Sequence, residues 1–435
     1  MRAWSPLRRC AGAALIAMAL PAAAAGQAVP AAPAAPAAAA RIAMADAVRL
    51  AVERNHQLRA TRLNVDLART DEITAALKPN PVLTSTNENF PLWSPGDLFS
   101  RDNFLNNQNF VESVTYLFER GGKRDKRTQV ARDTTAAAAQ TAADAERQLA
   151  FQTEQAFIAV LLANSTLDLA RENLKNFSNV LDVNRERLRA GDLAESEFYK
   201  ISLQKLQFEQ DLSSAEVALV QAKATLRQNV GYESLTDDFE VNGDLMYRKF
   251  AVTLDDLKRD ALAARPDWLA AQANVTLARH TQDLAFANRA RDVTGGLEYD
   301  RAGSLNAVGF SVSVDLPFHD RNQGNIAHSK VAIAQASELQ EFSRSTVLTD
   351  VVNAYATFQT SEKVLTLYQS GYLDQAKQSL DITTYVYQQG SGTLLDLLDA
   401  ERTYRSTQLA YRQALAAYMT SVQQINLAVG RQVLQ

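Results

Sequence analysis

Residues 123–189 read KRDKRTQVARDTTAAAAQTAADAERQLAFQTEQAFIAVLLANSTLDLARENLKNFSNVLDVNRERLR, with no proline and no glycine. Proline removes a backbone donor and clashes inside a helix, so its absence leaves the stretch free to be one continuous helix. At roughly 1.5 Å per residue that helix is about 100 Å long. A globular core has no use for such a length, so the stretch points to a coiled coil, a stalk or a duct. Beyond residue 41 the prolines are Pro79, Pro81, Pro91, Pro95, Pro266 and Pro317, which leaves 96–265 and everything after 317 open to equally long helices.

The apolar spacing agrees. Leu167, Leu174, Leu181 and Leu188 recur every seven residues, and Leu212, Ala215, Leu219, Ala222 and Leu226 follow an a/d pattern after Gly191. Leu373, Leu380 and Tyr387 precede Gly390, and Tyr411, Ala414, Tyr418 and Ile425 follow it. Two helical hairpins result, with turns at Gly191 and Gly390. Heptads alone fit a soluble antiparallel coiled-coil scaffold equally well.

The chain is written twice. Asn64-Val65-x-Leu67-Ala68-Arg69 returns as Asn274-Val275-x-Leu277-Ala278-Arg279, and Asp46, Arg49 and Ala51 return as Asp256, Arg259 and Ala261. Phe110, Ser113, Val114 and Phe118 return as Phe310, Ser313, Val314 and Phe318, and Gly191 and Gly231 as Gly390 and Gly430. An ordered set spaced near 200 residues makes the halves structural copies, with a period too long for a solenoid. The expected boundaries are 42–240 for the first repeat and 250–431 for the second.

Each half carries a β-like segment before its long helix. Residues 81–90 and 108–118 flank a loop with Trp93, Phe99 and Phe104; residues 292–301 and 307–317 flank a shorter loop, Ala302–Asn306. In the last strand Val308, Phe310, Val312, Val314 and Leu316 share one face, and Gly309, Ser311, Ser313 and Asp315 the other. That alternation and length fit a membrane strand, apolar toward lipid and small-polar toward a lumen. Alone, it also fits a half-buried soluble strand. Four strands cannot close a barrel, so closure needs several copies.

The remaining sequence narrows the class. Arg2, Arg8 and Arg9, the apolar run Ala11–Leu20 and the small residues Ala22–Ala25 form a secretory signal, residues 1–25. Residues 26–41 are an Ala/Pro linker. The single cysteine, Cys10, precedes the apolar run, so neither a lipid anchor nor a disulfide is expected. A net charge of −4 without a basic stripe argues against nucleic acid.

Leu316-Pro-Phe-His-Asp-Arg-Asn-Gln-Gly324 at the strand-to-helix junction and Tyr387-x-x-Gly390-x-Gly-Thr-Leu-Leu-Asp396-Leu-Leu-Asp399-Ala at the second hairpin resemble the TolC family of outer-membrane efflux channels, over residues 42 to 431. Asp320-Arg-Asn-Gln-Gly324 is most similar to the cobalt–zinc–cadmium branch. The resemblance implies a mainly α chain with a small β part. It implies a homotrimer in which three chains share one 12-stranded barrel in outer-membrane lipid, above a long periplasmic α-helical barrel. Residues 44–78 would stack on 193–229 alongside 123–189, and 253–290 on 393–429 alongside 325–389. Its implied partners are a periplasmic membrane-fusion adaptor and an inner-membrane resistance-nodulation-division pump. Its implied cargo is heavy-metal cations, with drug efflux or type I secretion as the alternative.

Asp396 and Asp399, three residues apart, share a helix face just after Gly390. Alone they suit a helix N-terminus, whose dipole favours acids. The resemblance makes them a ring at the closed periplasmic end, six carboxylates from three copies, which would attract cations. It makes Tyr387 a gate contact bonded to the neighbouring hairpin, with Glu197 as the matching carboxylate, one methylene longer than usual. The family's arginine there falls on Gly392. From spacing alone, Tyr387 is the heptad partner of Leu188. No nucleophile constellation or phosphate loop is present, and Gly121-Gly122-Lys123-Arg124 lacks the spacing of one. His56, His280, His319 and His328 form no ligand-spaced pair. The expectation is a passive duct with no catalytic residue, no cofactor and no fixed metal site.

Overall fold

The computed structural model describes residues 41–88, 100–102 and 108–434. The signal, nearly all of the linker, and Trp93, Phe99 and Phe104 of the predicted loop lie outside the described residues.

The first half runs β1 (Arg41–Ile42), α1 (Met44–Arg54), α2 (His56–Ala76), β2 (Val82–Glu88), β3 (Asn109–Phe118), α3 (Lys123–Ala190) and α4 (Glu195–Val230). The second runs β4 (Glu240–Val241), α5 (Leu254–Ala264), α6 (Pro266–Ala287), β5 (Val293–Ala302), β6 (Leu305–Val314) and α7 (Gln323–Leu367). A π turn (Tyr368–Tyr372), α8 (Leu373–Gln388) and α9 (Leu394–Val429) complete it. A short parallel pairing of β1 with β4 ties the halves together.

The proline-free stretch is one helix of 68 residues. It stops at Gly191, whose φ of 83° only glycine adopts cheaply. There the Asp192 amide donates to the Arg187 carbonyl and the Gly191 amide to Leu188. Gly390, with φ 75°, ends α8 likewise.

Three expected helices are interrupted, each for a physical reason. The helix expected over 44–78 breaks at Asn55, which is extended; its side chain accepts from the Leu58 amide and donates to the Asn229 carbonyl at 3.0 Å. The helix expected over 253–290 breaks at Arg265, where Pro266 opens α6 as an N1 proline. The helix expected over 325–389 is wound into the π turn around Gly371, φ 117°.

The first two breaks are the stacking joints of the two halves. Asn55 seats the C-terminal end of α4, and the Arg265 guanidinium reaches the Ala428 carbonyl at the end of α9. Arg265 is only 3% exposed and is held by Asp267 and Asp350, so its charge is paired rather than stranded. The main apolar core lies beside the second of these joints, with Val347, Val351, Phe358, Leu415, Tyr418 and Ile425 at its centre.

The antiparallel sheet has the order β2-β3-β5-β6. Residues directly opposite share a face, so Val114, Leu297 and Phe310 line up on one side, as do Tyr299 with Val308 and Phe118 with Val293. That face is open: Val308 is 80% exposed and Phe310 85%. The other face carries Ser113, Thr115, Gly296, Ser311 and Ser313. The second hairpin is tighter than the sequence led us to expect. The expected loop Ala302–Asn306 contracts to Gly303 and Ser304, because β5 extends to Ala302 and β6 starts at Leu305, pairing through the predicted loop.

A side chain at either joint would disturb the stacking. A Cβ on Gly430, φ 83°, would stand 3.0 Å from the Arg265 Cα. Gly430→Ala is expected to cost about 1–3 kcal/mol, read as a lower midpoint of thermal unfolding by circular dichroism.

Candidate functional site at the hairpin tips

The far ends of the hairpins gather the residues singled out by sequence. Leu193 and Ile201 from the first hairpin pack with Phe177, Leu181 and Phe208, and Leu394 and Leu398 of α9 lie against them. Phe177 and Phe208 stack with ring centres 4.5 Å apart. This apolar contact fixes where the second tip sits on the first.

Asp396 and Asp399 lie in the first turns of α9. Thr393 caps the helix, its hydroxyl accepting from the Asp396 amide and donating to the Asp396 carboxylate at 2.6 Å. Asp399 pairs with Arg402, 2.9 Å away, at the surface. Within one chain, both acids therefore have local roles of the kind a helix start favours.

Tyr387 differs from expectation. Its hydroxyl donates to Asn184 Oδ1 at 2.7 Å, a buried bond between α8 and α3 of the same chain. Within one chain the Tyr387 hydroxyl bonds Asn184 and not Glu197. Glu197 is exposed in the first turn of α4 and acts on Tyr387 only through its field. Burial raises the Tyr387 hydroxyl above the ordinary phenol range; Arg187 opposes that shift and the Glu197 charge adds to it. The Arg187 guanidinium lies over the Tyr387 ring, 5.3 Å from its centre.

The sequence reading passed over Asn184, Arg187 and the Arg405–Asp211 pair, whose 2.9 Å contact joins α9 to α4 while Arg405 covers the Phe208 ring. One signal was available. Asn184 falls between Leu181 and Leu188 at an interior heptad position, where a polar residue needs a partner. Gly392 also gains a reason. A Cβ there would lie 3.1 Å from the Tyr387 amide nitrogen and 3.2 Å from Val386 Cγ1, so the turn has little room for a side chain.

Nearer the joints, Glu154 of α3 lines a groove of about 410 Å³ with Phe151, Arg147, Pro266 and Arg431. Burial pushes its carboxyl from 4.5 to about 7.

Long paired helices carrying a four-stranded sheet with one open, largely apolar face suit a subunit of a membrane duct. The chain belongs to the outer membrane efflux protein family, whose sequence profile matches residues 47–232 and 257–431. It is similar to the cobalt-zinc-cadmium resistance protein CzcC of Cupriavidus metallidurans, 24% identical over 88% of this chain and 89% of that one. Among solved structures, the channel protein CusC superposes with a TM-score of 0.74 at 18% identity, over 89% of this chain and 92% of that one. The Campylobacter jejuni CmeC outer membrane channel gives 0.75 at 14% identity, over 90% and 87%. The protein is thus an outer-membrane efflux channel with a helical periplasmic extension, a conduit rather than an enzyme.

The Glu154 shift predicts a pH signature. A carboxyl whose folded pKa is raised binds its proton in the native state but not in the unfolded one, between about 4.5 and 7. Stability should therefore fall as pH rises through that window and level off above it. Glu154→Gln should flatten the slope of the unfolding midpoint against pH.

Proposed function

We propose that three copies of this chain form the outer-membrane exit duct of a tripartite efflux system, passing heavy-metal cations delivered by an inner-membrane resistance-nodulation-division pump through a periplasmic membrane-fusion adaptor. On this reading residues 1–25 direct export, and the repeats 42–240 and 250–431 each supply one hairpin of strands and one of helices.

The observation that carries the reading is the sheet. Its edge strands, β2 and β6, have no further partner among the described residues, and its apolar face is open. Edge amides cannot remain unpaired in hydrocarbon, so β2 of one copy pairs with β6 of the next and closes the barrel. Three copies of four strands give twelve. Exposed apolar side chains on α2 (Leu63, Leu67 and Ile73) and on α7 (Val331, Leu339 and Phe342) supply contact area between copies below the barrel.

At the other end, the tips bring Asp396 and Asp399 from three chains toward one axis. Six carboxylates crowded there favour cations electrostatically, and several weak sites let a cation enter and leave. Metal cargo rests on the Asp320-Arg-Asn-Gln-Gly324 junction and on the likeness to the cobalt-zinc-cadmium resistance protein.

Single-channel recording in planar bilayers tests the duct and its ring. Wild type should be cation-selective and blocked by millimolar divalent cations, and Asp396→Ala/Asp399→Ala should lose the block. Unchanged block would remove the ring while leaving the duct. Cargo is read separately: deleting the gene should sensitise cells to zinc, cobalt or cadmium, and sensitivity to dyes and detergents alone would overturn the metal assignment.

A further inference from the structure

The end of β3, the start of α3 and the segment just after α2 enclose a groove of about 480 Å³. Arg127 of α3 holds its walls together. Its guanidinium donates to the Ala75 and Leu77 carbonyls at the end of α2, at 2.9 and 3.1 Å, and to Glu119 just past β3, at 2.8 Å. One wall is apolar. Tyr116 and Phe118 line it, their ring centres 4.9 Å apart in an edge-to-face contact. Both share the sheet face of Val114, because Tyr116 stands opposite Gly295 and Phe118 opposite Val293. The groove is therefore continuous with the face that the duct reading turns to lipid. Phe118 is 54% exposed, and Leu316 and Phe318, just beyond β6, are open as well. Aromatic side chains gather where membrane strands leave hydrocarbon for the headgroup layer. On that reading the groove lies at headgroup level.

The other wall is cationic, with Lys78 and Arg124 on it. Among the described residues nothing pairs with the Lys78 ammonium. Arg124 reaches only the neighbouring Asp125, 3.5 Å away and 81% exposed. The other charges of the groove are already matched, Lys123 by Asp292 at 2.8 Å and Glu119 by Arg127. Two cations thus face the groove with no buried counter-charge. Beside them α3 begins at Gly122, which supplies no capping side chain. Cations next to the first amides of a helix suit a phosphate. A soluble anion would leave the aromatic wall without a purpose, and an apolar ligand would leave Lys78 unmatched. A phospholipid uses both walls at once.

We propose that this groove binds an anionic glycerophospholipid of the periplasmic leaflet, with Lys78 and Arg124 on its phosphate and its acyl chains along Tyr116, Phe118 and the open face beyond them. The inference rests on the duct reading and adds to it a lipid site in each subunit. A headgroup held there ties the start of α3 to the membrane surface. It thereby sets the depth at which the sheet sits, with the long helix directed away from the bilayer.

The test is native mass spectrometry of the full-length protein in detergent, after incubation with phosphatidylglycerol or with phosphatidylcholine. Wild type should retain about one phosphatidylglycerol per subunit and release phosphatidylcholine, whose quaternary ammonium balances its own phosphate. Lys78→Gln/Arg124→Gln should weaken retention of phosphatidylglycerol about ten- to thirtyfold, the effect of two cations beside a lipid phosphate. Lys78→Arg/Arg124→Lys keeps both charges and should retain the lipid like wild type. Raising sodium chloride should release the lipid, because the two cations are open to solvent. Glycerol phosphate, a headgroup without acyl chains, should not displace it at equal concentration. Equal retention of the two lipids, or unchanged retention by the glutamine variant, would overturn the site and leave the duct standing. Displacement by glycerol phosphate would do the same, since the groove would then take a free phosphate and not a lipid. A wild type that stays monomeric and fails to enter liposomes would overturn the duct reading and the lipid site with it.

Discussion

A strand edge cannot be left open in hydrocarbon, and most of this architecture follows from that constraint. Among the described residues the sheet offers four strands, one largely apolar face and two edges without a partner, so a single chain does not satisfy its own backbone in the membrane. In the proposed trimer, closure by neighbouring copies would make the wall continuous and set the helices below it around the same axis. The small residues of the inner face then have a reason: Gly296 abuts Ser311 and Thr115 so closely that a side chain there would collide with them. In the proposed barrel that face would line the lumen.

Below the barrel the problem becomes one of length. A helix of 68 residues must be flanked by something equally long, and each half solves this by stacking shorter helices end to end. Stacked ends expose unpaired carbonyls and amides. Asn55 and Arg265 answer that need by binding the last carbonyls of α4 and α9, and Gly231 and Gly430 let the backbones approach. The two joints use different chemistry, an amide in one and a buried, doubly paired guanidinium in the other. A duplicated sequence has thus kept the geometry while changing the residues that achieve it.

Much of this was legible in advance. The proline-free stretches located α3, α7, α8 and α9, and the glycines at 191 and 390 fell on the turns. Alternation sorted the residues of β6 onto the two faces that the strand register shows. The breaks at Asn55 and Gly371 were not legible, because neither residue forbids a helix and the cause of each break lies in tertiary packing. Pro266 was a readable signal, but the helix over 253–290 implied by the resemblance ran through it. The short second hairpin escaped because pairing between β5 and β6 continued through residues that resemble a loop when read singly.

By itself the sequence determined periodicity, length and punctuation: which segments are helix or strand, where the hairpins turn, that the chain is doubled, and which face of β6 is apolar. These depend on local backbone chemistry and on spacing along one element. Only the tertiary structure decided which side chains meet across elements. Tyr387 pairs with Asn184, 203 positions earlier, while Glu197 turns to solvent, and Gly392 is crowded by the helix end it follows. Heptad spacing names the face a residue occupies, but the opposite residue depends on the rotation and axial offset of two long helices. Those are set by the whole packed wall, the π turn included, and by no single stretch of chain.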